Sequence, residues 1–180
     1  YAYRTYRPGA VKPTGFLAEF ARRQVAGTLT HRQEAGYPFD QGLWTRAITN
    51  LHYASPMWRA PDRPYSEKDK MHPWIPYEQT AYMLDGMARL SFLVDAPQVR
   101  ADYMKSLEAV IANASPDGRL GRWYDNRDHV LEWPFLIFAR SLYAYYEGTG
   151  DERVLRALLR HYDALAAERK DWKWREMYNI

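Results

Sequence analysis

The order of helix types along the chain constrains its fold more than any other feature. Residues 77–94 carry only three charged side chains, and a helix that is apolar nearly all round is a buried one. A short break at 95–97 separates it from an amphipathic helix that ends near residue 113, and a long loop follows. The same order returns over 134–169. The sequence therefore repeats a helical hairpin with one buried and one surface helix.

The spacing of the two copies indicates the kind of repeat. Ala88 aligns with Ala139 at an offset of 51 residues, and Val99 aligns with Val154 at an offset of 55 residues. This period is far longer than the tetratricopeptide unit of about 34 residues. Buried and amphipathic helices in alternation, with end loops of unequal length, favour an α/α toroid over an open solenoid. We predict an all-α chain in which residues 1–180 form a single domain.

Three hairpin units are predicted, at approximately 16–53, 77–113 and 134–169. In the first unit a helical pattern runs from 16 to about 29, and a second helix is predicted near 42–53. No strand is predicted. The two buried helices run in the same direction in such a toroid, so the long loops lie at one end and form a rim where a ligand site is expected. These loops are 30–41, 54–76, 115–133 and 170–176.

Composition excludes several classes of function. The net charge is +3 without any basic run, so the electrostatic signature of nucleic-acid binding is missing. There is no cysteine, which excludes disulfides and thiolate chemistry within this sequence. No apolar run is long enough for a membrane span. Fifteen Tyr and seven Trp are typical of a sugar-binding cleft, although a Tyr-rich helical core is the commoner explanation.

The two ends of the sequence carry no recognisable signal. The chain begins with Tyr1 rather than Met, and no signal peptide is recognisable there. At the other end, no obvious terminus is recognisable before Ile180. We expect a processed chain or part of a longer one. The composition is compatible with a cytoplasmic, a periplasmic or a secreted protein.

Several blocks of the sequence resemble one enzyme family. They are P-G-A-V-K-P-T-G-F-L-A-E-F-A-R-R-Q-V-A-G-T-L-T-H at 8–31, W-I-P-Y-E-Q-T-A-Y-M-L-D-G-M-A-R-L-S-F-L-V-D, A-S-P-D-G-R-L-G, and W-P-F-L-I-F-A-R-S-L-Y-A-Y-Y-E-G-T-G-D-E-R-V-L. Together they resemble the N-terminal part of the beta-L-arabinofuranosidase-like glycoside hydrolases, over most of 8–169. The resemblance implies about half of a six-hairpin (α/α) barrel and a glycosidase framework.

The sequence also departs from that family. Its members are understood to use a cysteine nucleophile beside a zinc ion held by cysteines and a glutamate, encoded further along the chain. No cysteine is present here, so none of those catalytic residues has a counterpart. The resemblance therefore implies no cofactor within this sequence, with any zinc site outside it.

Glycoside hydrolysis usually requires two carboxylates, one acting as acid and the other as base or nucleophile. Glu78 opens the predicted buried helix, and Asp85 follows two turns later on the same face. Glu78 is as well explained as a helix-capping residue. For Asp85 we favour an ion pair with Arg89, four residues on, over a catalytic role.

Other candidates lie in the long loops. The weak catalytic candidates, besides Glu78, are Asp125, Asp128 and Glu132. The candidates for sugar binding are His72, Trp74, Tyr77, Trp123, His129 and Trp133, for which a solvated loop is the alternative reading. A third rim patch would hold His31, Glu34 and Asp40. The spacing of His and carboxylate residues predicts no metal site, and no Gly-rich phosphate loop follows a strand.

We therefore expect a carbohydrate-active hydrolase, or part of one, acting on plant or microbial glycans. One alternative is a helical module that binds a glycan or a protein without catalysis. Another is a different (α/α)-barrel enzyme, such as an unsaturated-uronyl hydrolase or a polysaccharide lyase. Half a toroid would leave helices 16–29 and 134–147 without ring neighbours, so the expected partners are a carbohydrate and either the rest of the barrel or a second copy.

Overall fold

The computed structural model of the chain describes residues 6–36, 38–40, 42–45, 75–120 and 132–168. These ranges contain five α-helices and no strand, which confirms the all-α class for the described part of the chain. The helices are α1 (Gly15–Gln24), α2 (Ile75–Leu93), α3 (Pro97–Ala112), α4 (Glu132–Thr149) and α5 (Glu152–Glu168). A π-helical turn, Val25–Leu29, follows α1 directly.

Helices α2 and α4 form the centre of the fold and run in the same direction. Near the middle of both helices, Arg140 of α4 lies 3.2 Å from Asp85 of α2. Near their ends, the rings of Phe92 and Tyr145 have centroids 6.2 Å apart. Contacts that advance together along both chains require a parallel pair, as the repeat predicts for the two buried helices.

Helix α3 covers one side of this pair. Its Tyr103 is fully buried, and the Tyr103 hydroxyl shares a hydrogen bond of 2.9 Å with Ser141 Oγ of α4. The Tyr103 ring also lies against Phe138 and Tyr145. Tyr103 therefore links the hairpin α2–α3 to α4. The other apolar residues that α3 buries are Val99, Leu107 and Val110.

The turn between α2 and α3 is as short as the sequence predicts. Ala96 N donates to Ser91 O, and Pro97 then opens α3, where its missing N–H leaves no donor unsatisfied. Asp95 adopts a left-handed backbone conformation with φ of 56°. The second hairpin turns at Gly150, whose φ is 74°. Both turns lie at the end of the helix pair opposite to the beginnings of α2 and α4.

The described part of the first predicted hairpin unit, 16–53, differs from the regular pattern of the other two units. The helix predicted over 16–29 ends as an α-helix at Gln24 and continues as the π-helical turn, inside which Gly27 has the non-helical angles φ −89° and ψ −117°. Glycine adopts such angles at little cost, which explains why the helix changes here. Of the helix predicted at 42–53, residues 42–45 form a turn and the remainder lies outside the described residues.

The N-terminal segment is fixed to the end of α2. Lys12 Nζ donates a 2.7 Å hydrogen bond to Phe92 O, one of the last carbonyls of that helix. Gly9, with φ of 81°, approaches the same carbonyl so closely that a Cβ atom would lie 2.5 Å from Phe92 O. A cation at the C-terminal end of a helix also suits its dipole.

Two groups of large apolar side chains remain exposed. On α1, the exposed fractions are 81% for Phe16, 55% for Leu17 and 60% for Phe20. On the second hairpin, Leu136, Tyr143, Leu159 and Tyr162 are all exposed. Helices α1 and α4 are the ones predicted to lack ring neighbours, whereas the exposed residues of α5 were not predicted. A closed toroid is not formed by the described hairpins alone.

Candidate functional site

The beginnings of α2 and α4 meet at Trp44. Its ring is fully buried and stacks on Phe138 of α4, with centroids 4.7 Å apart and planes at 11°. It also contacts Tyr77 of α2 edge-on at 5.3 Å, and its Nε1–H donates to Tyr77 O over 3.0 Å. The indole thus satisfies its one polar group while joining the two central helices.

The backbone at Trp44 is unusual for a large side chain. Its φ is 66°, in the left-handed region, and Gly42 two residues earlier has φ of 65°. A non-glycine residue in this region carries a conformational cost of about 1–2 kcal/mol, which the surrounding contacts must offset. The aromatic contacts with Phe138 and Tyr77 and the hydrogen bond of the indole supply that compensation. Such strained positions cluster at functional sites, which is one reason to examine this end of the fold.

Among the predicted catalytic and sugar-binding residues, the structure describes the side chains of Tyr77 and Glu78. The Tyr77 ring is only 1% exposed and packs below Trp44, so it contributes chiefly to the core. Glu78 is partly exposed in the first turn of α2, where the positive end of the helix dipole favours a carboxylate. Glu78 is therefore a partly exposed acid at the beginning of α2, next to the buried Tyr77.

A tight turn between α3 and α4 is anchored on α5. His161 of α5 is buried, and its Nδ1 accepts a 3.0 Å hydrogen bond from Leu120 N, which places the ring proton on Nε2. Burial, together with the positive charge of Arg119, lowers the pKa of His161 to about 4. A neutral imidazole is thus a structural acceptor that holds the turn near the beginning of α4, where the His161 ring also lies 4.3 Å from Phe135.

The turn itself is held by short-range hydrogen bonds. Ser115 N donates to Arg119 O over 2.9 Å, and Gly118 N donates to Ser115 O over 2.7 Å. The Asp117 carboxylate accepts from the Ser115 hydroxyl and from Arg119 Nε, and these hydrogen bonds hold the pKa of Asp117 well below its usual range. The S-P-D-G-R-L segment is therefore a turn closed by its own hydrogen bonds.

Asp85 lies on the seam between the two central helices. Arg89 Nε donates to Asp85 Oδ1 over 2.8 Å, which confirms the predicted ion pair four residues apart. Arg140 Nη2 reaches the second oxygen, Oδ2, at 3.2 Å. Both oxygens are engaged by cations, which suits a structural role better than that of a general acid.

The structure leaves most of the predicted site residues unplaced. His72, Trp74, Trp123, Asp125, Asp128 and His129 lie outside the described residues. Glu132 and Trp133 begin α4, and only their backbone is described. The segments 46–74 and 121–131 nevertheless join the described fold at the beginnings of α2 and α4. Because those helices are parallel and adjacent, residues 75 and 132, at which the described chain resumes, lie at one end of the fold.

Two members of the third predicted patch, His31 and Glu34, lie elsewhere on the fold, while the third, Asp40, is exposed four residues before Trp44. His31 Nδ1 and Glu34 Oε1 are 2.9 Å apart on the surface. Neighbouring Arg32 donates to Asp102 Oδ1, in the second turn of α3, over 3.1 Å. The beginning of α3 follows the short turn after α2, so this patch is close to that part of α3 and is not grouped with Tyr77 by any of these contacts.

Sequence analysis did not single out Trp44, His161 or Arg140. His161 lies three residues after Leu158 and seven after Val154, so the spacing of the buried face of α5 could have identified it. Arg140 occupies the repeat position of Arg89, which was a usable signal. Trp44 falls in a short turn without periodicity, and nothing local in the sequence indicates its position.

Three comparisons bear on the identity of the chain, and no protein-family model, curated protein or solved structure matches it. Among the residues that the structure describes, no group of three His or carboxylate side chains is close enough to hold a metal ion. None of the helices in this part of the chain is long and apolar enough to cross a membrane. The function therefore has to be argued from the chemistry of the chain itself.

Proposed function

We propose that the chain is part of a glycoside hydrolase built on an (α/α) toroid, with its sugar site at the common end where α2 and α4 begin. One observation carries the proposal. The parallel helices start side by side around Trp44, so the two segments that hold the candidate aromatic and acidic residues, 46–74 and 121–131, enter the fold together. The resemblance to the beta-L-arabinofuranosidase-like hydrolases supports the same class.

The segments that we propose form the site contain residues with suitable chemistry for sugar binding. Indole rings stack on the apolar faces of sugars, and the two segments contribute Trp74 and Trp123, with Trp133 in the first turn of α4. His72 and His129 supply hydrogen-bonding groups in the same segments. Tyr77 supports Trp44 from below rather than facing a ligand, because its ring is buried.

The first turns of α2 and α4 and the segment before α4 also contain carboxylates suited to hydrolysis. Glu78 is in the first turn of α2, Glu132 begins α4, and Asp125 and Asp128 lie in the segment immediately before α4. A glycosidase needs two such groups on opposite sides of the scissile bond, about 5 to 9.5 Å apart. We propose that Glu78 on α2 is one of them and that an acid of the segment before α4 is the other.

The test is hydrolysis of a panel of aryl glycosides, including arabinofuranosides, by the natural gene product that contains this sequence. Glu78→Gln should lower kcat by at least about 100-fold, the size of a general acid–base contribution. Glu34→Gln, an equally conservative change at an exposed carboxylate away from this end, should leave kcat unchanged. Full activity in the Glu78→Gln protein would remove Glu78 from the mechanism.

A glycan-binding module without catalysis is the second candidate, because the chain lacks the cysteine on which the resembling family depends. In that case no glycoside would be hydrolysed, while sugar binding measured by titration calorimetry would persist. Trp74→Ala or Trp133→Ala would then weaken binding, and Glu78→Gln would hardly change it. Hydrolysis of unsaturated uronides alone would instead assign the chain to the uronyl hydrolases.

A further inference from the structure

An open groove runs between α4 and α5 on the side of α4 away from α3. It encloses about 410 Å³, and its walls are apolar except at Arg89 and Arg140. The apolar lining residues recur at three- and four-residue steps on both helices, as they do where a third helix packs on a helical pair. They are Leu136, Ala139, Tyr143, Leu155, Leu158, Leu159 and Tyr162.

The internal repeat shows what this groove corresponds to. The offset of 51 residues relates its α4 wall to α2, and the offset of 55 residues relates its α5 wall to α3. Five of the seven residues equivalent to the apolar lining are buried on the hairpin α2–α3, whereas only Ala139 and Leu158 of the seven lining residues are buried in the groove. The five buried equivalents are Asp85, Ala88 and Phe92 on α2, and Tyr103 and Leu107 on α3, while Arg100 and Met104 are half-buried.

Helix α4 packs on this equivalent surface of α2 and α3. Arg140 reaches Asp85, Ser141 bonds to the Tyr103 hydroxyl, and Tyr145 lies against Phe92. The groove between α4 and α5 therefore corresponds, one repeat later, to the surface of α2 and α3 on which α4 packs. None of the five described helices lies in it, so the repeat predicts a further helix there.

The chain itself offers a helix with the required surface. Phe16, Leu17 and Phe20 form an apolar face on α1, and all three are more than half exposed. The sides of α1 that do pack use only the small residues Ala18 and Ala21. Large apolar side chains grouped on one helix face mark an interface more often than a solvated surface.

We propose that two copies of the chain assemble about a twofold axis, with α1 of each copy seated in the groove between α4 and α5 of the other. A twofold arrangement uses both surfaces of both copies, so neither the groove nor the α1 face remains open. At each of the two contacts, α1 of one copy packs on α4 and α5 of its partner. The helices of the two copies together then form a closed ring. This assembly does not depend on the chain being a glycosidase.

The charges beside the groove also favour α1 as the helix that binds there. Arg89 and Arg140 share the single carboxylate of Asp85, which leaves one positive charge uncompensated beside the groove. Glu19 of α1 borders the apolar face there and is half-exposed, with Arg23 as its partner within the helix. A negatively charged residue at the edge of α1 is complementary to the positive charge of the arginines beside the groove.

Sedimentation velocity of the 180-residue chain over a range of concentrations is the primary test. We expect a reversible dimer. Leu159→Glu in the groove and Phe20→Glu on α1 should each weaken dimerisation by about 100-fold or more, because each would bury a carboxylate against apolar surface. Tyr82→Glu, at an exposed tyrosine of α2 outside both surfaces, is the matched control and should have no effect.

Both positions are exposed in the single chain, so the substitutions should leave its fold intact, and Leu136→Glu and Phe16→Glu provide a second variant of each surface. A mixture of the Phe20→Glu and Leu159→Glu proteins should dimerise more tightly than either protein alone, since one intact interface remains in the mixed dimer. A monomeric wild-type chain, or a dimer that only the groove variants weaken, would overturn the proposal.

Cross-linking tests which surfaces meet. Because the chain contains no cysteine, Phe20→Cys and Leu159→Cys each introduce a single thiol. Under mild oxidation the mixed proteins should form a disulfide-linked dimer, whereas each protein alone should not, because identical positions are far apart in the ring. Cross-linking of the Leu159→Cys protein with itself would show that two grooves face each other and would exclude the proposed arrangement.

Discussion

Asp85 of α2 and Arg140 of α4 form an ion pair of 3.2 Å across the two central helices, and the second oxygen of Asp85 accepts from Arg89 at 2.8 Å. The Asp85 side chain is nearly buried, while both arginines are half-exposed. A carboxylate in this position is stabilised by two cations and in turn links two helices that are 51 residues apart in register.

Replacing Asp85 should therefore destabilise the helix pair. We expect Asp85→Asn to lower the free energy of unfolding by about 2 kcal/mol, since a charge-assisted hydrogen bond to Arg89 and an ion pair with Arg140 are lost. Urea denaturation followed by circular dichroism measures the change. Glu147→Gln, at a partly exposed acid of α4, is the control and should change it by less than about 0.5 kcal/mol. An equal effect of the two substitutions would contradict the structural role of Asp85.

Trp44 is expected to be the most sensitive position outside the helices. Trp44→Ala should cost about 3–5 kcal/mol, because the change leaves a cavity between α2 and α4. Trp44→Phe keeps a ring against Phe138 but loses the hydrogen bond to Tyr77 O, and should cost about 1 kcal/mol. Equilibrium unfolding in urea separates the two values. A small effect of Trp44→Ala would show that the indole does not bridge the helices.

His161 should make stability depend on pH. Its pKa in the folded chain is about 4, below the ordinary value near 6.5, so the unfolded chain binds a proton first as the pH falls. The free energy of unfolding should then decrease by about 2 kcal/mol between about pH 7.5 and pH 5 on account of this residue. His161→Gln, which keeps an acceptor for Leu120 N, should remove that slope. Parallel pH profiles for the two proteins would refute the assignment.

Two glycines provide a matched pair for the N-terminal segment. Gly9 and Gly15 both have positive φ, but a Cβ on Gly9 would lie 2.5 Å from Phe92 O, whereas one on Gly15 has no neighbour within 4 Å. Gly15→Ala should cost about 1 kcal/mol from backbone strain alone, and Gly9→Ala about 3 kcal/mol because the segment must also move. Thermal unfolding of the two variants measures the difference. Equal costs would mean that residue 9 is not held against α2.

Local pattern was sufficient for the regular parts of the chain. The apolar spacing of α3 and α5, Pro97 at the start of α3, and the pair Asp85–Arg89 all depend on residues within two helical turns of each other. The helices of the second and third predicted hairpin units accordingly begin and end within two residues of the expected bounds. The change to a π-helical turn after Gln24 was missed, because Gly27 makes it possible without requiring it.

The candidate site depended on contacts that no local pattern encodes. Trp44 meets Phe138, Leu120 meets His161, and Tyr103 meets Ser141 only after the chain has folded. The sequence determined which residues form helices and which helix faces are apolar, since 3.6-residue periodicity is local. Tertiary structure alone decided which of those faces are paired and which stay exposed, because that depends on how distant helices pack.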